Sequence, residues 1–322
     1  TPNRPFLYMT DRDHPMTFGQ MEQQVNYMMS KWIQAGIQHG DHVAMLMLNS
    51  PLTVVQVLVA MRMGVTLVPL NTRLTVDELD FQLRQADCQW LLPYGTADVL
   101  ASLRDRGHHI VSLDTIQAVN SAQVVREFSL DDPLAIIHTS GTSGRPKGAV
   151  LTYNNIYQSA MASAYRIGVL PDDRWLCVLP LFHVGGLSII LRSLLYGTAV
   201  EMLPSLKFDI DEVNRILTEK PITLVSLVPI MLQRLLDART QAWHPSLRLV
   251  LLGGAAPSPQ LVQRCVDEGI PIATTYGLSE ASSQVATSTP QDVIRKPASV
   301  GKPLMFTQVW VVDAHGQDVL IG

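Results

Sequence analysis

The chain has 322 residues, 47% of them hydrophobic and 16% charged. That is too long for one small core and too apolar for a disordered protein, and it suits two or three subdomains of roughly 100–150 residues each. The formal charge of −4, with both signs mixed along the sequence, argues against a polyanion-binding surface and so against a nucleic-acid partner.

Cys88, Cys177 and Cys265 stand far apart with no CxxC spacing. They support neither a disulfide framework nor a zinc site and suit the reducing cytoplasm. The most apolar stretch, residues 54–70, is interrupted by Gln56, Arg62, Gly64, Thr66 and Pro69, so it reads as helix, turn and strand with no membrane span. Both ends read as cut: residue 1 is Thr, and residues 319–322 fall in what reads as a strand. The expectation is a fragment of a larger protein.

In chain order, residues 17–35 read as an amphipathic helix. Thr17 and Gln20 make a capping box, Met21, Val25, Met28, Met29 and Trp32 share a stripe, and Gly36 closes it. A strand at 43–48, a helix at 51–63 opened by Pro51, a strand at 65–70, a helix at 76–85 and short strands at 90–93 and 110–113 follow. From Asp132 a second round begins with strand, loop and strand over 134–152, then a helix at 154–167 and a strand at 174–179. Helices at 186–196, 210–219, 229–238 and 259–268 then alternate with strands at 199–203, 223–227, 247–252 and 272–275. This alternation predicts parallel βαβ units. The expected class is α/β: two layered subdomains with mostly parallel sheets, 1–130 and 131–297, and the start of a β-rich one at 298–322.

The loop over 139–148 is the centre of the chemistry. Thr139, Ser140, Gly141, Thr142, Ser143, Gly144, Arg145, Lys147 and Gly148 bring glycines, hydroxyls and two cations together without an acid. Glycine lets successive N–H groups turn toward one point, and such a concavity with hydroxyls and a lysine suits polyphosphate oxygens. An ordinary surface turn is the plainer alternative. Lys147 is followed by Gly148 and a β-like 149–151, so this is no Walker A loop.

Three more segments carry polar groups at strand ends. Residues 179–187 set His183 between an apolar strand and a small-residue turn, where a capping or core histidine is the alternative. Residues 252–257 end a strand on Gly253, Gly254 and Ala255, where parallel sheets place ligands and where a flat base can approach the backbone; a tight turn is the alternative. Residues 274–282 join Thr275, Tyr276, Gly277, Ser279 and Glu280; Glu280 is suited to Mg²⁺ beside phosphate oxygens, or is a solvated acid at a helix start. Arg192 is the one charge in an apolar helix, either paired with a structural acid or able to grip a substrate carboxylate.

The run Thr139-Ser-Gly-Thr-Ser-Gly-Arg-Pro-Lys-Gly148 resembles the loop of adenylate-forming enzymes, the superfamily of acyl-CoA synthetases, luciferases and peptide-synthetase adenylation domains. The resemblance covers nearly the whole chain. It implies an ATP-dependent acid–CoA ligase in which a carboxylate attacks the α-phosphorus of ATP, pyrophosphate leaves, and the thiol of CoA displaces AMP. By resemblance, Lys147 and the loop hydroxyls hold the β- and γ-phosphates, Gly253–Ala255 and Tyr276 meet adenine, Ser279 meets phosphate, Glu280 holds Mg²⁺, and His183 lines the acyl pocket. The wording of 179–188, the basic residue after it, Tyr196-Gly197 and Ser279 to Ser283 and beyond is closer still to 2-succinylbenzoate–CoA ligases of menaquinone biosynthesis. That likeness puts His183, Arg192 and Ser283 at the acid, with general fatty or aromatic acyl-CoA synthetases as the competitor. The superfamily's ribose-binding Asp and C-terminal lysine fall outside the chain.

Two other classes remain. One is a nucleotide-binding module without catalysis. The second is a serine hydrolase at Ser279, since 277–281 is one residue short of a Gly-x-Ser-x-Gly elbow, although the only histidine after it is His315. The sequence leaves a homo-oligomer open.

Overall fold

The computed structural model describes residues 2–10, 14–118, 129–139, 145–203 and 208–319. Strand β1 (Pro5–Met9) pairs antiparallel with β2 (Met16–Thr17), which leads directly into α1 (Phe18–Gln34). Thr17 and Gln20 form the expected capping box, and Met21, Val25, Met29 and Trp32 are buried. Next come β3 (His42–Leu46), α2 (Pro51–Met63), β4 (Thr66–Leu70), α3 (Val76–Gln85), β5 (Trp90–Leu92) and α4 (Ala97–Asp105). They are followed by the hairpin β6 (Pro133–Thr139) and β7 (Lys147–Thr152), and by α5 (Tyr153–Ile167). The second half runs β8 (Arg174–Cys177), α6 (Val184–Tyr196), β9 (Ala199–Met202), α7 (Ile210–Glu219), β10 (Leu224–Leu227), α8 (Pro229–Ala238), β11 (Leu249–Leu252) and α9 (Pro259–Asp267). Strand β12 (Ile272–Leu278), a 3₁₀ turn (Ser279–Ala281), β13 (Ser283–Thr287), α10 (Pro290–Arg295) and β14 (Lys302–Pro303) complete it.

The strands form two sheets, β5-β3-β4-β6-β7 and β14-β13-β12-β11-β10-β8-β9-β1-β2. Strands β3 to β6 run parallel in the first, and β1, β8, β9, β10, β11 and β12 run parallel in the second. Among the described residues only the outer strands β7, β2, β13 and β14 add antiparallel pairs.

The period-2 alternation of a strand decides the layering. Val43 and Met45 enter the central core while Ala44 and Leu46 enter a separate cluster with Leu79 and Leu83 of α3. Leu249 and Leu251 likewise face the central core, and Val250 and Leu252 face α7, α8 and α9. Both sheets are thus covered on both faces, with α1, α2 and α6 in the layer between them. That explains the near-continuous apolar runs of their strands. Helix α2 is buried on most sides, so it shows no polar face, and its Gln56 bonds to Trp32 Nε1 and Tyr94 OH, each at 2.7 Å.

Sheet membership does not follow the divisions expected at 130 and 297. Strands β6 and β7 extend the sheet begun by β3, β1 and β2 from the first hundred residues extend the second sheet, and β14 adds to that same sheet. Pairing in space, between strands far apart in sequence, sets the layers. Ile110 makes a single bridge to Leu91 in place of the strand expected at 110–113, and β12 runs three residues beyond the expected end.

Candidate functional site

Strands of a parallel sheet offer ligands their carboxyl ends, and here the ends of β6, β8, β10, β11 and β12 face one cleft. The hairpin comes first. Thr139 and Lys147 are directly opposed at its open end, and Lys147 is exposed. Ser140, Gly141, Thr142, Ser143 and Gly144 lie outside the described residues. Thr139 Oγ1 stands 3.4 Å from Glu280 Oε1 and 3.5 Å from the Lys147 carbonyl, so its one proton serves one of them at a time. The root of the loop and the carboxylate, 141 residues apart, are therefore neighbours.

Glu280 owes its place to a tight bend. Gly277 lies so close to the Ser283 carbonyl that a Cβ would overlap it, and the chain then turns through Ser282 and Ser283, with φ of 54° and 100°. Such angles are unusual for non-glycine residues and persist only where the surroundings enforce them. Ser159 of α5 donates to the Ser282 carbonyl at 2.7 Å and supplies part of that enforcement. Thr275 Oγ1 donates to Ala286 O at 3.0 Å across the β12–β13 pair, and Gly253 fits against its methyl group.

A cavity of about 410 Å³ lies between these strands and α6. Its wall includes His183 and Arg192 on one side and Gly253, Gly254, Thr275 and Gly277 on the other. Ser279 and Ser283 also line it. Eight of the residues singled out in the sequence thus meet in one cavity. Three others stand apart from this wall: Ala255 and Glu280 are exposed, and Tyr276 is 54% exposed. A second cavity, about 630 Å³, shares His183 and adds Phe182, His138, Thr139 and Arg145.

His183 stands at the N-cap of α6 without a side-chain capping bond, its ring centroid 4.5 Å from that of Phe182. Partial desolvation holds its pKa below the ordinary histidine value, which favours the neutral imidazole. Arg192 is 2% exposed, and Nη2 donates to Ser159 Oγ at 3.2 Å while Nε has no partner among the described residues. Burial lowers its pKa and Tyr196 works the other way. Among the described residues no carboxylate forms an ion pair with it, so the structural pairing considered above is not found. A guanidinium in that state is complementary to an anion delivered from outside.

Sequence reasoning missed Ser159 and the buried Oε1 of Gln284, which lines the same cavity and has no partner among the described residues. Ser159 reads only as a polar position on an amphipathic helix, because both its partners come from other elements. Among the described residues no cluster of three His, Cys, Asp or Glu side chains is set to hold a metal ion. A single carboxylate such as Glu280 matches Mg²⁺, which takes one or two protein carboxylates beside phosphate oxygens and water. No hydrogen bond joins Ser279 to a histidine among the described residues, so the geometry lends the hydrolase reading no support.

Two mostly parallel sheets stacked with helices between and outside them, their glycine-ended strands opening on one cleft, match the architecture of adenylate-forming N-terminal domains. The chain belongs to the AMP-binding enzyme family, whose pattern matches residues 1–322. It is 34% identical over 321 residues to the 2-succinylbenzoate–CoA ligase of Bacillus thuringiensis subsp. konkukian, a match covering 96% of this chain and 63% of that protein. The o-succinylbenzoate CoA synthetase of Bacillus subtilis with its acyl-adenylate intermediate superposes with a TM-score of 0.90 at 30% identity, over 99% of this chain and 65% of that one. The same enzyme with ATP and magnesium ion gives 0.89 at 30% identity, over 99% and 66%. The chain therefore spans about 63% of the length of the curated relative. Among the described residues no helix is long and apolar enough to cross a membrane.

Proposed function

We propose that the chain supplies the adenylation site of an ATP-dependent acid–CoA ligase acting on 2-succinylbenzoate, a cytoplasmic step of menaquinone biosynthesis. One carboxylate oxygen of the acid attacks the α-phosphorus of ATP, the bond to the β-phosphate oxygen breaks, and pyrophosphate leaves with its electron pair. The CoA sulfur then attacks the acyl carbon of the adenylate and AMP departs.

In this reading the loop from Thr139 to Lys147 receives the β- and γ-phosphates, Lys147 offsetting charge as pyrophosphate leaves. Gly253, Gly254 and Ala255 with Thr275, Tyr276 and Gly277 form the nucleoside wall, and Ser279 meets the phosphate. Glu280 suits Mg²⁺, which when bound would neutralise charge on the phosphate oxygens. His183, uncharged near neutral pH, borders the carboxylate to be activated without repelling or protonating it.

The observation that carries the proposal is Arg192, a buried cation without a carboxylate partner that lines the acyl side of the cavity. An acid bearing a second carboxylate satisfies it; a fatty acid leaves it uncompensated. The names of the relatives support the same acid. The test is an acid panel read by pyrophosphate release, with the unaltered protein and Arg192→Gln. Preference for 2-succinylbenzoate is expected, and Arg192→Gln should raise KM for that acid ~10-fold or more while changing KM for a monocarboxylate little. Equal effects on both acids would remove Arg192 from the substrate site. Nucleotide binding without pyrophosphate release would favour a non-catalytic module.

A further inference from the structure

We infer that Asn49 is a positioning residue for His183, acting through a two-bond clamp on the turn that carries it. Its relevance to the reaction rests on the role proposed above for His183. Asn49 Nδ2 donates to the Leu179 carbonyl at 3.0 Å, and the Leu181 N–H donates to Asn49 Oδ1 at 3.1 Å. These partners lie 130 and 132 residues away. They flank Pro180, which has no N–H to give, so the turn has lost one of its own means of pairing. A carboxamide is the uncharged side chain that presents a donor and an acceptor side by side, and the two partners fix which way round it sits.

The turn transmits that constraint to His183. The His183 N–H donates to the Pro180 carbonyl at 3.2 Å, and Gly186 lies so near the same carbonyl that a Cβ would overlap it. The Pro180 carbonyl is thus the seat of the first turn of α6. Because the His183 ring makes no capping bond, its direction depends on this backbone and on the Phe182 ring beside it.

The other end of the clamp is equally fixed. Met47 N–H donates to the Leu70 carbonyl at 3.0 Å just before Asn49, and Ser50 just after it accepts from Thr53 N–H at 3.1 Å as the cap of α2. Asn49 thus sits beyond the end of β3 and ties the five-stranded sheet to the turn beyond β8 in the nine-stranded one. It is a strut between the two sheets, and Pro180 and His183 of the turn it holds lie on the wall of the cavity. An aspartate there would keep the acceptor, lose the donor and set an anion against the Leu179 carbonyl.

The experiment follows the His183 ring by NMR in histidine-labelled protein, with the resonance assigned by its loss in His183→Gln. In Asn49→Asp and Asn49→Ser the His183 Cε1–H resonance should move, since the ring current of Phe182 falls steeply with distance. The resonance of His108, held by Asp80 on α3, should stay in place. In the unaltered protein the Leu181 amide should exchange with solvent at least ~10-fold more slowly than an open turn amide, because Asn49 is its acceptor. A folded Asn49 variant with an unmoved His183 resonance would overturn the inference. Should neither variant fold, rapid exchange at Leu181 in the unaltered protein would overturn it and slow exchange would support it. Neither measurement needs a substrate, so a protein with no ligase activity would sink the proposed function and leave this test standing. Where activity is present, Asn49→Asp should raise KM for the acid with KM for ATP nearly unchanged, a split that general loss of stability would not produce.

Discussion

His138, one residue before the hairpin loop, has two ring nitrogens shielded from solvent and without a hydrogen-bond partner among the described residues, and burial holds its pKa down to about 4. In the unfolded chain the ring titrates near 6.5, so on acidification the unfolded state takes up the proton first. The stability that the neutral ring provides is therefore complete above about 6.5 and is lost progressively toward about 4, a swing of at most ~3 kcal/mol. His138→Met should flatten the fall of Tm across that window, and an unchanged slope in thermal melts would assign the acid sensitivity to other groups. Lys147 is the opposite kind of residue, exposed and without a role in the core. Lys147→Ala should leave Tm unchanged and weaken ATP binding ~10-fold or more by calorimetry, since a charge-assisted contact to phosphate is worth roughly 1.5–3 kcal/mol. Unaltered affinity would remove Lys147 from the nucleotide site.

The bend between β12 and β13 shows how one small residue governs an element. Gly277→Ala forces a methyl group into the Ser283 carbonyl, so the antiparallel pair must open and Glu280 must move away from Thr139. The expected cost is ~2–4 kcal/mol in denaturant titrations, and a variant as stable as the parent would contradict the packing described. Elements of this kind divide by how local their determinants are. Helices α2, α3, α7 and α8 were legible to the residue, because a cap, an N-terminal proline or an apolar repeat lies within their own sequence. Strand β1 was not: its five residues lack a turn signal, and its parallel partner β9 begins at Ala199. Helix α4 has only Leu103 buried, too weak a stripe to stand out. The candidate site divides the same way. His183, Arg192 and Gly253 stand out as a polar group or a glycine at the end of an apolar run, whereas Asn49 and Ser159 matter only through partners more than thirty residues distant. Motif membership also did not fix orientation, since Tyr276 lies within a cavity-lining segment and is itself mostly exposed.

At the scale of the whole molecule, a buried charge cluster ties the far edge of the nine-stranded sheet together. Glu201 of β9 is fully buried and accepts from Arg174 of β8 and, at 2.7 Å, from Lys220 Nζ beyond α7. The Arg174 guanidinium also lies over the Tyr8 ring of β1, 3.4 Å from its centroid. Glu201→Ala would strand the Arg174 and Lys220 charges near the core and should cost ~3–5 kcal/mol in chemical denaturation. A loss below ~1 kcal/mol would show that water or another acid replaces the carboxylate. The same edge fixes the order in which the polypeptide can mature. Strand β1 has β2 beside it from the start, but its parallel partner β9 is complete only once residue 202 has left the ribosome, a delay of ~10–40 s at ordinary elongation speed. Until then the other edge of that apolar ribbon stays open, a natural handhold for chaperones and the place where premature collapse would begin.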